Sequence, residues 1–496
     1  MIPASGIGPA SPTCPPKREA PGRKRSGGGA TLAIAVKDAT EIWRDGRFRW
    51  AAGLLLLLLV AAVAGGVHNQ SQIARQHADA QQAERDVWLD KGDMNPHAAA
   101  HYGAFVFKPV QPLSAIDPGL DPFVGVFVFL EAHKQQLARH RPIEDATPTR
   151  RLGQLAPASA ALVLLPLLVV ALTFSSFAGE RDQGTLRPLL AMGISRPALL
   201  TGKALGAMLP LAAVIIPATL IGAAILFWNA PADPNAPIGA RAAGLGAVYL
   251  VHTLIWTGLG LAVSARARSQ GAALVVLLAL WFANAFIMPP VAMAAAKWVD
   301  PSPSALEFAA SIQDEKDSWP TWDQRVERVM ERFLEGEFES TMAPSNVEVV
   351  ALLESEADET ALYDRRFAEL FERYGRQARS FERIGVMAPT LAARSLSMAF
   401  AGTDEAHDRE FAAAASRYRA AMLTTLNGEL ASSGRFNTFD YTRGRDLWEK
   451  VPPFDYDVPT ARWALSNATW SAAALAAWLV AASIAAVWSV SSMRLD

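Results

Sequence analysis

The sequence predicts an all-α polytopic membrane protein: six transmembrane helices and a helical extracytoplasmic domain built from two insertions. Three observations carry this. Of 496 residues, 51% are hydrophobic and only 19% charged, against about 25% charged in an ordinary soluble domain. Six apolar runs, at 50–67, 156–177, 204–228, 242–264, 270–291 and 467–490, approach or exceed the roughly 20 residues that cross a bilayer. Two longer polar stretches, 68–155 and 292–466, separate the first run from the second and the fifth from the sixth, and together exceed half the chain.

Residues 1–30 are rich in Pro, Gly, Ser, Lys and Arg. Such a segment buries too little apolar surface to offset its ordering entropy, so it reads as a disordered tail. Residues 31–49 place Ile34, Val36, Ile42, Trp43 and Phe48 among charges, the pattern of an amphipathic helix on a membrane surface. Small residues at Ala64, Gly65 and Gly66 resemble a signal-peptide cleavage site, but the long lead and the length of the apolar run predict a retained span.

An even number of spans puts both termini on one side. The loop at 178–203 carries Arg181, Arg187, Arg196 and Lys203; the turn after the fourth run carries Arg266 and Arg268; Arg494 follows the last run; the loop at 229–240 has no Lys or Arg. Positive charge concentrates in cytoplasmic loops, so both termini are expected in the cytoplasm. Pro166, Pro210 and Pro217 inside the runs predict kinks. No Asp, Glu, Lys or Arg lies in the interior of a run, and His252 is the one group there able to titrate. Ion-driven carriers need intramembrane ionisable groups, so coupling to an ion gradient is not expected.

The chain also lacks a nucleotide site of its own. Gly202-Lys203 is followed by Ala204 where a phosphate loop needs Ser or Thr, and Pro197 takes the place of its leading glycine. No His-Glu-x-x-His or Gly-x-Ser-x-Gly pattern occurs. A net charge of -2 gives no basic face for nucleic acid. The single cysteine, Cys14, excludes an intramolecular disulfide.

The stretch at 178–203 is therefore the candidate site, where an external motor would grip the membrane domain. Gly179 and Gly184 bracket Glu180, Arg181, Asp182 and Gln183. Thr185 is expected to cap a short helix showing Leu186, Leu189, Leu190 and Met192 on one side; Gly193 is expected to end it and Ser195 to cap the next. The string Gly179-Glu-Arg-Asp-Gln-Gly-Thr-Leu186, with Leu190-Ala-Met-Gly-Ile-Ser-Arg196, Gly202-Lys203 and Ser264-Ala-Arg-Ala-Arg-Ser269, resembles the signature of ABC-2-type transporter permeases. The resemblance implies six spans per subunit, a dimer with a second permease copy or paralogue, and a cytoplasmic ATP-binding subunit that meets Gly179–Thr185. It implies a permease in a bacterial inner membrane, not an enzyme, with no cofactor. ATP hydrolysis by the partner would drive export or movement of the external domain. The alternatives are mechanotransmission without substrate passage, or a tethered binding or sensor protein without an ATPase.

In the external regions, a charged helix is expected at 70–91, a Pro-rich stretch at 108–122 and a second helix near 123–139. Helical stripes run through Val326, Val329, Met330, Phe333 and Leu334; through Tyr363, Phe367, Leu370, Phe371 and Tyr374; and through Phe411, Ala414, Ala415, Tyr418, Met422 and Leu426. They predict a bundle core. Residues 436–458 read as an ordered loop, and Glu354, Glu356, Asp358 and Glu359 as a solvated face. The run Ser395–Asp404, with Phe411, Tyr418-Arg419 and Asn427, is similar to a subgroup of these permeases bearing an extracytoplasmic domain of unknown function. Gly402 is expected to end one helix and Thr403 to cap the next. Six of eight histidines fall in the first external region. His97 and His101, one helical turn apart, form a candidate pair for a metal, with no third ligand apparent in the sequence.

Overall fold

The computed structural model describes residues 27–136, 138, 139, 141, 144, 156–229, 238–338, 347–432 and 441–493. Most of the expected tail at 1–30, most of the loop at 229–240, and His140 lie outside the described residues. Among them, six helices are long and apolar enough to cross a membrane. They are α2 (Gly46–Leu89), α4 (Pro157–Asp182), α6 (Arg196–Asn229), α7 (Ile238–Arg266), α8 (Gln270–Val299) and α16 (Thr469–Ser491). Between α4 and α6 stands the short helix α5 (Leu186–Ala191).

The first helix, α1 (Gly27–Arg44), does more than present an amphipathic face. It packs into a groove on α6 formed by Gly202 and Gly206. A Cβ at Gly202 would stand 2.8 Å from Ile34 side-chain atoms, and one at Gly206 2.7 Å from Asp38 Cβ. Small residues spaced by four let two helix backbones approach closely. Ile34 and Ala35 are buried there. The next helix, α2, runs without a break from the first apolar run into the expected charged helix. At 1.5 Å per residue its 44 residues form a rod of about 66 Å.

The membrane body closes on Leu165, Leu168, Val169, Leu211, Trp256 and Leu277 from α4, α6, α7 and α8. His252 is buried and bonded within the helix assembly. Its Nε2 lies 3.1 Å from the Thr390 hydroxyl and accepts from Trp256 Nε1 at 3.2 Å. Pro210 and Pro217 stand inside the continuous α6.

The external part contains α3 (Pro96–Tyr102), α9 (Ala305–Asp317), α10 (Trp322–Leu334), α11 (Val347–Gly385), α12 (Pro389–Ala401), α13 (Glu405–Ser432), α14 (Arg445–Trp448) and α15 (Ala461–Asn467). The expected stripes mostly form its core. Val329 of α10 packs with Val347 and Ala351 of α11. Tyr363 and Phe367 pack with Ile312 of α9. Phe411, Ala415, Met422 and Leu426 of α13 pack with Trp88 from the end of α2 and Trp448 of α14. Leu334 departs from its stripe and is exposed.

The expected second helix of the first insertion is overturned. The segment near 123–139 is not helical. Strand β1 (Ala104–Phe107) pairs antiparallel with β2 (Phe127–Leu130), in register Phe105 opposite Phe129 and Phe107 opposite Phe127. Alternation in Phe-Val-Phe puts aromatic rings on one face and Val106, Val128 and Leu130 on the buried one. The cross-strand ring pairs lie 4.7 and 5.7 Å apart, the spacing that stabilises a ladder.

Gly402 ends α12 in the left-handed conformation at φ 80°, as expected. The following cap is different. Asp404 Oδ1 accepts from the His407 amide at 3.1 Å, while Thr403, fully buried, donates its hydroxyl to the Asp117 carbonyl at 3.0 Å. Thr403 thus joins the two external insertions instead of capping α13.

Candidate functional site

The segment Gly179–Thr185, the last turn of α4 and the residues after it, forms an elbow leading into α5. Its backbone reverses at Gly184, with φ 71°, and again at Gly193, with φ 83°, after α5. Both values suit a residue without Cβ. Ser195 Oγ then accepts from Ala198 N–H at 3.3 Å and caps the start of α6.

Buried Gly179 seats the elbow against α8: a Cβ there would meet the Gln270 side chain at 3.5 Å. Glu180 Oε1 accepts from Lys203 Nζ and from Lys37 Nζ, each at 3.3 Å. Lys203 is 3% exposed, and a buried ammonium needs carboxylate partners to offset its lost hydration. Asp38 Oδ2, 3.2 Å away, is the second. These four residues join α1, the elbow and the foot of α6. Thr185 does not cap α5 with its side chain; its hydroxyl donates to the Glu180 carboxylate, and its amide donates to the Glu180 carbonyl at 2.9 Å.

Arg181 reaches the opposite neighbour. Its guanidinium donates to the Ala265 carbonyl at 2.9 Å and to that of Ala267, at the open end of α7. A cation on the last carbonyls of a helix also meets the negative end of its dipole. Asp182 Oδ2 accepts from the Gln270 amide at 3.0 Å, at the positive start of α8. Buried Ser264 completes the joint: its Oγ accepts from the amides of Phe177 and Ala178 at 3.0 and 3.1 Å and donates to the Phe174 carbonyl at 2.8 Å. The two signature strings, eighty residues apart in sequence, are thus one hydrogen-bonded unit.

The apolar side of α5 divides. Leu186 is buried with Ile34, Phe177 and Leu199, and Leu190 packs against them. Met192 stands 69% exposed. Asp182, Gln183, Gly184, Thr185, Arg187, Pro188, Ala191 and Gly193 also reach the surface. The elbow therefore has an inner edge, Gly179–Arg181, tied to four helices, and an outer edge running from Asp182 to Gly193. Sequence reasoning found the segment but missed Lys37, Asp38 and Ser264 as its supports. Ser264 opens the second signature string; Lys37 and Asp38 carry no signal beyond charge on an amphipathic helix.

A model of the ABC-2 family of transporter proteins matches residues 32–335. The chain belongs to that family. It is a membrane-spanning subunit of the ABC-transporter class. A model of a domain of unknown function, DUF3526, matches residues 305–457. The probable ABC transporter permease protein NosY of Pseudomonas aeruginosa is 35% identical over 129 residues, 25% of this chain. The chain covers 45% of that relative's length. The ABC-2 match contains the whole elbow, its Ser264 support, and Lys37 and Asp38 of α1.

The candidate pair His97 and His101 lies apart from the elbow, on α3 of the external part, with Nε2 atoms 3.1 Å apart. The structure brings a third imidazole to them, His133, in the turn after β2. It also corrects the reading of the acidic run. Glu354 and Asp358 do face outward and pair with Arg332 and Arg325. Glu356 and Glu359 are turned in, toward His97 and His133.

Proposed function

We propose that this chain is the permease subunit through which a separate cytoplasmic ATP-binding subunit drives export or movement of the external domain. The outer edge of the elbow, with Asp182, Gln183, Gly184 and Thr185, meets that subunit; Gly179, Glu180 and Arg181 carry its displacement inward. The observation that supports this is the convergence of four helices on the elbow. Glu180 meets α1 and α6, Arg181 meets α7, and Asp182 meets α8. A push on a segment so tied moves the feet of several spans together. The working unit is a dimer of two such subunits in a bacterial inner membrane, with both termini cytoplasmic.

The unbroken α2 favours movement of the external domain over simple passage. Its membrane half packs in the body through Phe48, Ala52 and Leu55. Its far end carries Trp88, which donates from Nε1 to the Trp448 carbonyl at 2.9 Å in the external core. Displacement of α1 and α2 at one face reaches the external core along a stiff element.

The test is co-purification of the chain with its ATP-binding subunit, followed by ATPase assay. Gln183→Lys and Met192→Asp are expected to lose the partner while leaving the chain folded. Glu180→Gln is expected to keep the partner and weaken the dependence of ATPase rate on the permease. Full partner recovery and unchanged ATPase in all three variants would refute this reading.

A further inference from the structure

The geometry points to a divalent transition-metal site on the external domain, in which His97, His101 and His133 bind a borderline ion such as Zn²⁺ through their Nε2 atoms. This site is independent of how the elbow works. The ligand atoms of the three imidazoles lie within 4.8 Å of one another. The ring centroids are 4.7 Å apart for His97 and His101, 5.4 Å for His97 and His133, and 4.7 Å for His101 and His133. About 3.3 Å separates two nitrogens on one tetrahedral ion with bonds of 2.0–2.1 Å, and His97 and His101 already present theirs at 3.1 Å.

The tautomers follow from the outer partners. His97 Nδ1 faces Asn427 Oδ1 at 3.4 Å, an acceptor, so Nδ1 carries the hydrogen and Nε2 the lone pair. His133 Nδ1 lies 2.7 Å from Glu359 Oε2, so its Nε2 is likewise the lone-pair nitrogen. Glu359 is held in turn by Lys316 Nζ at 2.6 Å. A metal-binding histidine commonly donates its other nitrogen to a carboxylate or carbonyl acceptor in this way. In the absence of an ion His101 Nε2–H can donate to His97 Nε2; with an ion bound, His101 carries its hydrogen on Nδ1 and turns the Nε2 lone pair to the metal.

Three further features fit a built site. Glu356 Oε1 is buried with no hydrogen-bond partner among the described residues, yet lies 3.2 Å from His97 Nδ1 and 3.7 Å from His133 Nε2. It places a carboxyl group beside the imidazole cluster, on the Nδ1 side of His97. His133 is the one described non-glycine residue with positive φ, at 63°; such strain is held in place by its surroundings and gathers at ligand sites. The surroundings are specific. The amide of Ala132 donates to the Ala100 carbonyl of α3 at 3.0 Å, and buried Arg419 donates from Nε to the Glu131 carbonyl at 2.8 Å. These bonds fix the His133 turn against the helix bearing the other two rings.

The donor set selects the ion. Three neutral imidazoles without thiolate suit Zn²⁺, Cu²⁺ or Ni²⁺ and not Mg²⁺ or Ca²⁺. Exposed His101 leaves a coordination position open on the solvent side. All three ligands belong to the first insertion, and their outer partners Glu359 of α11 and Asn427 of α13 belong to the second.

Equilibrium dialysis of the full-length, chelator-stripped protein in detergent, carrying a tag without histidine, tests this. Zn²⁺ is the probe, Mg²⁺ the control, and bound metal per chain is counted by mass spectrometry. One Zn²⁺ per chain and no Mg²⁺ are expected. His101→Ala, at an exposed position that leaves folding intact, is expected to weaken Zn²⁺ binding at least tenfold, and Glu359→Gln about 10–100-fold. Absence of Zn²⁺ binding by the wild-type chain overturns the assignment. So does unchanged affinity in His101→Ala.

Discussion

The Glu180 carboxylate sits between two lysines from opposite sides of the joint, Lys37 of α1 and Lys203 of α6, each 3.3 Å from the same oxygen. The contact ties the N-terminal helix to the foot of a span through the elbow. Removing Lys203 leaves Glu180 and Asp38 with half-exposed Lys37 as their shared cation, 3.3 and 3.5 Å away. Breaking a fully buried charge pair by deleting one partner costs about 3–5 kcal/mol; with Lys37 still paired to both carboxylates, the cost falls below that range. Lys203→Ala is therefore expected to lower thermal stability in detergent, and Lys203→Ala/Glu180→Gln to restore part of it. A double variant no better than the single would place the effect elsewhere.

Ser264 links three backbone groups at the inner face of the elbow. Ser264→Ala leaves the amides of Phe177 and Ala178 buried without their acceptor, a cost of about 1–3 kcal/mol each. Faster hydrogen exchange at 177 and 178, with little change in the external core, is expected by mass spectrometry. Unaltered exchange would show that the hydroxyl does not hold the joint.

The α1 groove predicts a steric effect. Gly202→Val places atoms on Ile34, where even a Cβ stands at 2.8 Å. Displacement of α1 is expected, seen as new protease cleavage between residues 27 and 45, with a smaller effect at exposed Gly271, where nothing lies within 4 Å. Equal sensitivity in Gly202→Val and Gly271→Val would contradict close packing of α1.

A pH effect is expected in the external domain. Burial raises the Glu405 carboxyl to about 7, with Arg409 opposing and Asp404 and Asp408 reinforcing. An acid whose folded pKa exceeds its unfolded value holds its proton better when folded. Its ionisation therefore destabilises the fold as pH rises from about 4.5 to about 7. Glu405→Gln is expected to raise the melting temperature more at pH 8 than at pH 5. A difference independent of pH would contradict the shift.

Much of this was legible in the sequence. Long apolar runs with basic short loops identify spans because the bilayer leaves few alternatives. The elbow was legible from charges and glycines between two such runs, and Gly402 from its place after a helical stripe. The β-hairpin was not, because short runs such as Phe127-Val-Phe-Leu130 suit a strand and a buried helix alike. The inward turn of Glu356 and Glu359 was hidden by their company on an acidic helix. His133 was hidden for a different reason: its proximity to His97 and His101 depends on β2 pairing with β1 and on Arg419 from α13. Such neighbours belong to tertiary structure, not to spacing.

The most direct measurement is the sidedness of the elbow. In a Cys14→Ser background, Gln183→Cys is treated with a membrane-impermeant maleimide in intact cells and in inside-out vesicles. The account predicts no labelling in cells, labelling in vesicles stripped of the ATP-binding subunit, and protection when that subunit is restored. Labelling of residue 183 from outside intact cells would contradict it.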